Sequence, residues 1–420
     1  GRGKDRAGKA RALRSLGNAY RLLNHPEKAI KEYYEPALAI MCEVNDRAGE
    51  GTVISYLGSG YTALNQYEKA IWYYEQGLAI DREVKDLESE GRTLGKLGNV
   101  YSYLNRHENA IEYYEQSLAI RREVKDREGE ASILFNFART EWERGDYLRA
   151  KALAEDGLKI AESLRSEFYN QELRSTYFAS VQDYYIFYLD LLMRLHQSKP
   201  GQGFDALAVQ ASEGARARVL LEQLSEVRAD IRQGVDPALL ERERILQRRL
   251  NARASDQTEM LSGKHTEAQA AEIAKEIEEL TAQYQQVEAQ IRATSPRYAA
   301  LTQPQTLTFA EIQQQALDPD TLLLEYALGK ERSHLWTVTQ NSINSYELPK
   351  REVIEEAAGR AIKLFSANNP AADKTAAEAA TALSQMILGP AAEQLGAKRL
   401  LVVADGILQY LPFGALPAPS

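Results

Sequence analysis

A block of about 40 residues is written several times in the first part of this chain. Leu16-Gly17-Asn18-Ala19-Tyr20, Leu57-Gly58-Ser59-Gly60-Tyr61 and Leu97-Gly98-Asn99-Val100-Tyr101 each lead into Ala-Ile, Tyr-Tyr-Glu and Leu-Ala-Ile. One such unit cannot bury its own apolar face, so copies have to stack, and the spacing predicts helix pairs arranged as a solenoid. Tyr33, Tyr73 and Tyr113 keep a spacing of 40, as do Ile40, Ile80, Ile120 and Ile160, the last in a degenerate fourth copy. Gly17 to Gly58 is 41. One extra residue therefore lies between Ile30 and Tyr33, directly before Pro36. A helix absorbs such an insertion as a π-bulge, and a proline inside it removes a hydrogen bond, so the second helix of the first repeat is expected to be irregular.

Each repeat reads as two helices. Gly17, Gly58, Gly98 and Ala138 are the small residues of the first helix, and Ala29, Ala70, Ala110 and Ala150 those of the second. These small and large positions, over residues 4–165, resemble tetratricopeptide repeats in the forty-residue form of Pins-type polarity scaffolds and bacterial signalling proteins. The resemblance implies that first helices line a concave groove, into which the residue after the glycine and one about two turns earlier point. Those positions are Asn18 with Arg11, Ser59 with Thr52, Asn99 with Arg92, and Arg139 with Ser132. An Asn offers donor and acceptor to a peptide backbone, and an Arg a fork for a carboxylate. With Arg14, Arg21 and Lys96 nearby, the groove is expected to be locally basic and to take an acidic extended peptide or partner protein. The alternative is that these are solvated faces, or that Asn18 and Asn99 hold neighbouring helices. The tyrosine pairs read as core and rim.

The formal net charge of -9 excludes a general nucleic-acid binder. Cys42 is the only cysteine, which leaves no disulfide framework and points to a reducing, cytoplasmic setting. At its place in a repeat helix a small buried thiol is expected. No apolar run reaches membrane-spanning length, so no membrane partner is expected. His25 and His107 sit in turns without a second ligand at metal spacing; neither a metal nor a cofactor is expected. Asp5 to Gly8 matches Asp46 to Gly49 and Asp126 to Gly129, as if the chain began inside an earlier repeat.

At 420 residues the chain is too long for one ordinary domain. Residues 166–232 read as long capping helices, one over 167–197 and one from about Gly203 carrying Leu220, Leu224, Val227 and Ile231. Residues 233–295 read as an antiparallel helical hairpin: Ile273, Ile277, Leu280, Tyr284, Val287 and Ile291 step by four and three, a coiled-coil seam. Its partner arm lies around Leu239, Leu246 and Leu250, with a polar joint over Asn251 to Thr266. A homodimeric coiled coil is the competing reading, and the oligomeric state stays open.

Residues 296–420 change character. Thr321–Leu328, Leu335–Thr339 and Ile343–Leu348 read as a meander of strands, followed by helices near 350–366 and 373–388 and a strand at Leu400–Ala404. The fold class is thus mainly α, a solenoid and helical hairpin followed by an incomplete α/β layer. Leu322-Leu323-Leu324-Glu325-Tyr326, the strand with Trp336, and Leu401-Val402-Val403-Ala404-Asp405-Gly406 before Leu411-Pro412-Phe413-Gly414 resemble the opening of a CHAT domain. This caspase-like peptidase module commonly follows tetratricopeptide repeats in bacteria. Glu213-Gly214-Ala215-Arg216-Ala217-Arg218 is similar to its connector.

The resemblance implies a cysteine peptidase whose His and Cys follow later strands, beyond the residues present. His334 and Cys42 do not substitute, being nearly three hundred residues apart. No catalytic residue is therefore assigned in this chain. The expected role is a scaffold that, in a longer parent, recruits substrates to the peptidase or regulates it. A pure adaptor or oligomerisation scaffold is the alternative.

Overall fold

The computed structural model describes residues 2–165, 171–226, 235–262, 267–296, 299, 308–366, 373–396 and 398–419. They fall into two compact units, Gly1–Phe168 and Tyr169–Ser420.

The first unit is four helix pairs. The first helices are α1 (Arg2–Leu22), α3 (Arg47–Ala63), α5 (Leu87–Tyr103) and α7 (Arg127–Arg144). The second helices are α2 (residues 26–43), α4 (Tyr67–Val84), α6 (His107–Glu123) and α8 (Tyr147–Arg165). Asp46, Asp86 and Asp126 cap α3, α5 and α7 by accepting from the backbone N–H of Gly49, Ser89 and Gly129, so the recurrent Asp is a helix start. Asn24, Asn65 and Asn105 close the first helices with left-handed backbone, which Asn tolerates better than most residues.

The glycine and the second tyrosine of each repeat are one device. A Cβ on Gly17, Gly58 or Gly98 would stand 2.5, 2.6 or 2.5 Å from a ring carbon of Tyr34, Tyr74 or Tyr114. Each of these rings is buried flat on the backbone of the preceding helix. The extra residue of the first repeat is absorbed inside α2, which runs as Pro26–Lys28, a π-helical Ala29–Tyr34, and Glu35–Glu43. The wider turn lengthens the Gly17 to Tyr34 interval by one and still sets Tyr34 on its glycine. In the fourth pair Ala138 and Ala154 replace glycine and tyrosine, and Phe135 fills the space against Gly157 instead.

The second unit begins with α9 (Gln171–Ser198) and α10 (Phe204–Glu226). Val227 and Ile231 lie outside the described residues, as does the expected helix start at 167. Helices α11 (Pro237–Ser262) and α12 (Glu267–Thr294) pack through Leu246, Leu250, Leu280, Val287 and Ile291, with Ile277 and Tyr284 alongside. The joint differs from the expected Asn251–Thr266. Helix α11 continues to Ser262, because Asn251 to Asp256 is polar yet free of breakers, and Arg253 pairs across the arms with Glu276 at 2.8 Å.

After α13 (Phe309–Gln315), β1 (Thr321–Ala327), β2 (Ser333–Val338) and β3 (Ile343–Leu348) form the expected antiparallel meander. Helices α14 (Arg351–Ser366) and α15 (Asp373–Ile387) cross over to β4 (Arg399–Val403), which pairs parallel to β1 in the order β3-β2-β1-β4. Leu322, Leu324 and Tyr326 face Ile354, Ala358, Leu383 and Ile387 in one core. The opposite face presents Glu325, His334 and Trp336 towards α9 and α10.

Cys42 is exposed, contrary to the buried thiol expected. It occupies the place of Arg82 and Arg122 in the next copies, one step beyond the buried Met41.

Candidate functional site

The first helices approach one another along one side of the array through polar contacts. Ser55 and Thr93 hydroxyls lie 3.1 Å apart and those of Ser102 and Thr140 2.9 Å apart. Two of the buried tyrosines send their hydroxyls back to the residue after the glycine. Tyr74 donates to Ser59 Oγ at 3.1 Å, and Tyr114 to Asn99 Oδ1 at 2.9 Å. In the first repeat the same Oδ1, on Asn18, accepts instead from Arg21 Nη2 at 2.9 Å. The fully buried Tyr34 hydroxyl faces the Arg21 guanidinium instead of Asn18.

Next to these tyrosines the charge is one-sided. Lys96 Nζ stands 5.0 Å from the Tyr56 ring centre and 5.7 Å from that of Tyr74, and the Arg14 guanidinium is 5.6 Å from Tyr56. A ring facing two cations from different repeats is a cation–π arrangement that gains strength where water is excluded. Burial, reinforced by Arg92, Arg21 and Arg121, pulls the half-buried Lys96 down to about 8, with Asp81 opposing. Asp81 is itself buried, accepts from Thr93 Oγ1 at 2.9 Å, and is pushed up to about 6 by burial. Arg121, at the matching position one repeat on, is lowered chiefly by burial and pairs with Asp126.

The other candidates are placed as follows. Arg92 is exposed and reaches Glu88 at 3.2 Å and Ser89 Oγ at 3.0 Å on its own helix. Ser59 also donates to the Ser55 carbonyl. Arg11 on α1 and Arg139 on α7 are exposed. Arg14 and Lys96 are thus brought together through Tyr56. The Asn and Ser positions are engaged with tyrosines or Arg21. Sequence reasoning passed over Tyr56, Asp81 and Arg121, though Tyr56 and Lys96 share one position, two residues before the glycine.

In the second unit the motifs that resemble a peptidase opening meet in a sealed polar network. Arg216 bonds Glu325 at 3.1 Å, Ser212 at 3.1 Å and the carbonyls of Ala404 and Tyr326 at 3.0 and 3.3 Å. Burial, with Glu213 adding to it, drives Glu325 well above the usual carboxylate range against the pull of Arg216. Asp405 accepts from Leu328 N–H at 2.7 Å and pairs with Arg351 at 3.2 Å, and left-handed Gly406 follows. His334 Nε2 lies 3.2 Å from Asp190, in a different unit from Cys42. Among the described residues no cluster of His, Cys, Asp or Glu has metal-site spacing, and no helix is long and apolar enough to cross a membrane.

Family models described as tetratricopeptide repeat match residues 54–88 and 89–163. These residues are tetratricopeptide repeats. Among solved structures, a putative kinesin light chain from Podosopora anserina with nearly identical TPR-like repeats is 21% identical, with TM-score 0.39, over 53% of this chain and 99% of that one. BtubC from P. vanneervenii is 19% identical with TM-score 0.39 over 49% of this chain and 79% of its own. The apo form of RapI is 15% identical with TM-score 0.38, over 68% and 85%. No curated protein matches the chain.

Proposed function

We propose that the tetratricopeptide repeats form a recognition array whose first-helix face binds an extended, acidic peptide or a partner segment of that kind. The observation that carries this reading is the cation excess around Tyr56: Arg14, Arg21, Arg92 and Lys96 meet a single buried carboxylate, Asp81. Placing a half-buried lysine among arginines costs electrostatic energy, so the arrangement reads as preparation for an anion supplied from outside. The binding role extends to Arg11, Asn18, Ser59, Asn99 and Arg139 along the same helices.

Residues 296–420 are proposed to be the opening part of a CHAT-type domain, so that in a longer protein the array recruits or regulates a caspase-like cysteine peptidase. Support comes from the order of three strands, two helices and a parallel strand, and from the joining of the quoted motifs by Arg216, Asp405 and Arg351. A reading frame that continues past Ser420 into strands bearing His and Cys is the expected result; one without them removes the peptidase half of the proposal.

Arg92→Glu is expected to weaken capture of an acidic peptide roughly tenfold, with unchanged helicity by circular dichroism. If partner capture survives deletion of the whole repeat unit, the recognition role is wrong.

A further inference from the structure

One face of α1 is open where the later first helices are covered. Leu16 is 49% exposed, whereas its counterparts Leu57, Leu97 and Phe137 are 1%, 0% and 2% exposed. Each counterpart packs with the second helix of the preceding repeat: Leu57 with Ile30 and Tyr34, Leu97 with Tyr74 and Leu78, Phe137 with Tyr114 and Leu118. The open face of α1 is thus a helix-stacking face of the same design. Its residues differ from those of the later helices. Ala12, Leu16, Ala19 and Leu23 are all exposed and step by four, three and four, the spacing of a two-helix seam. Alanine and leucine each recur after seven residues, and where α1 has Ala12 the later helices have Val53, Thr93 and Ile133. The small-and-large alternation therefore belongs to α1 alone.

Such a seam fits a copy of itself running the other way. With Leu16 set against Ala19 of the second copy, Ala12 falls against Leu23, and symmetry repeats both pairs, so every leucine meets an alanine. A parallel pair in register sets leucine on leucine and leaves the alanines apart. Charge favours the antiparallel arrangement as well. Arg6, Lys9, Arg11 and Arg14 crowd the first half of α1, and Arg14 and Arg21 are engaged away from the seam, with Tyr56 and Asn18. Antiparallel pairing brings exposed Lys9 to the C-terminal end of the other α1, the negative pole of that helix, just before exposed Glu27. The two Lys9 side chains are then about 25 Å apart along the axis, well beyond the screening length at physiological salt.

We propose that α1 is a self-association helix: two copies of this chain pair antiparallel through Ala12, Leu16, Ala19 and Leu23, with Lys9 of each beside Glu27 of the other. The inference does not rest on the groove reading. A seam of one helix per copy is small beside a standard interface, so the dimer is a weak one that forms with rising concentration.

Sedimentation equilibrium of the full chain between about 1 and 100 micromolar tests it, with circular dichroism to check that each variant folds. The parent chain is expected to approach twice the mass of one chain across that range. Leu16→Lys, at an exposed position, weakens the dimer at least tenfold. Ile245→Lys, an equally exposed apolar site on the helical hairpin, leaves it within twofold. Lys9→Glu and Glu27→Lys each weaken it about tenfold, and the double variant returns to within threefold of the parent, which only the antiparallel register allows. The proposal is overturned if Leu16→Lys dimerises like the parent chain, if Ile245→Lys dissociates it instead, or if the double variant stays as weak as the single ones. A parent chain that remains one copy throughout also overturns it and gives the face to a helix of another protein.

Discussion

The Lys96 cluster of the first unit and the Arg216 network of the second differ in how their charges are compensated. In the second, Arg216 donates to Glu325, Ser212 and two carbonyls, and Asp405 accepts from Arg351 and a backbone N–H, so Arg216 and Asp405 cross-link elements. In the repeats, Lys96 faces tyrosine rings and the cations Arg92, Arg21 and Arg121, with Asp81 as the opposing charge. A paired buried charge holds elements together, whereas an uncompensated one is a cost to folding that only a ligand repays. The contrast marks the first unit as the place to look for binding.

Breaking Arg216 is the severest test of this contrast. Arg216→Met leaves Glu325 buried without its cation and two carbonyls without a donor, which should destabilise the second unit by about 4 kcal/mol. Urea unfolding followed by limited proteolysis should report the loss there while the repeats keep their transition; a change below about 1 kcal/mol would mean that the network is not a cross-link.

Asp81→Asn probes the uncompensated side. A folded value near 6 against about 3.8 unfolded means that the native state holds its proton more tightly, so this group favours folding most below pH 4. That contribution is lost as pH rises through 6, by at most about 3 kcal/mol. The variant should flatten the stability profile between pH 4 and 7. An unchanged slope would argue that Asp81 is better solvated than its burial implies.

Gly98→Ala sharpens the packing side. A methyl there meets the Tyr114 ring, and a loss of about 2 kcal/mol is expected in the repeat transition alone. Full stability would show that the ring yields without penalty.

Much of this architecture was legible along the chain because it is periodic. The Gly and Tyr-Tyr spacings placed eight helices in pairs, and the single extra residue before Pro36 predicted the π-helical Ala29–Tyr34. Alternation and turn residues placed the four strands. Errors came where local signals were ambiguous. Asn251 to Ser262 is polar enough to read as a loop, yet it lacks a helix breaker and stays helical. Cys42 read as buried by residue type, although its register with Arg82 and Arg122 already placed it outside.

The site was less legible. Gly+1 residues pointed to a ligand, whereas the folded chain gives Ser59 and Asn99 to Tyr74 and Tyr114. By itself, the sequence determined the repeat, its interruption and the positions of the strands, since each depends on residues close to one another along the chain. Only the tertiary structure decided that Lys96 stands near both Tyr56 and Tyr74, that Asn18 accepts from Arg21 and not from Tyr34, and that Arg216 reaches Glu325 and Ala404. These pairings join different helices and strands, and a side chain chooses among such neighbours by distance and desolvation, which spacing along the chain does not encode.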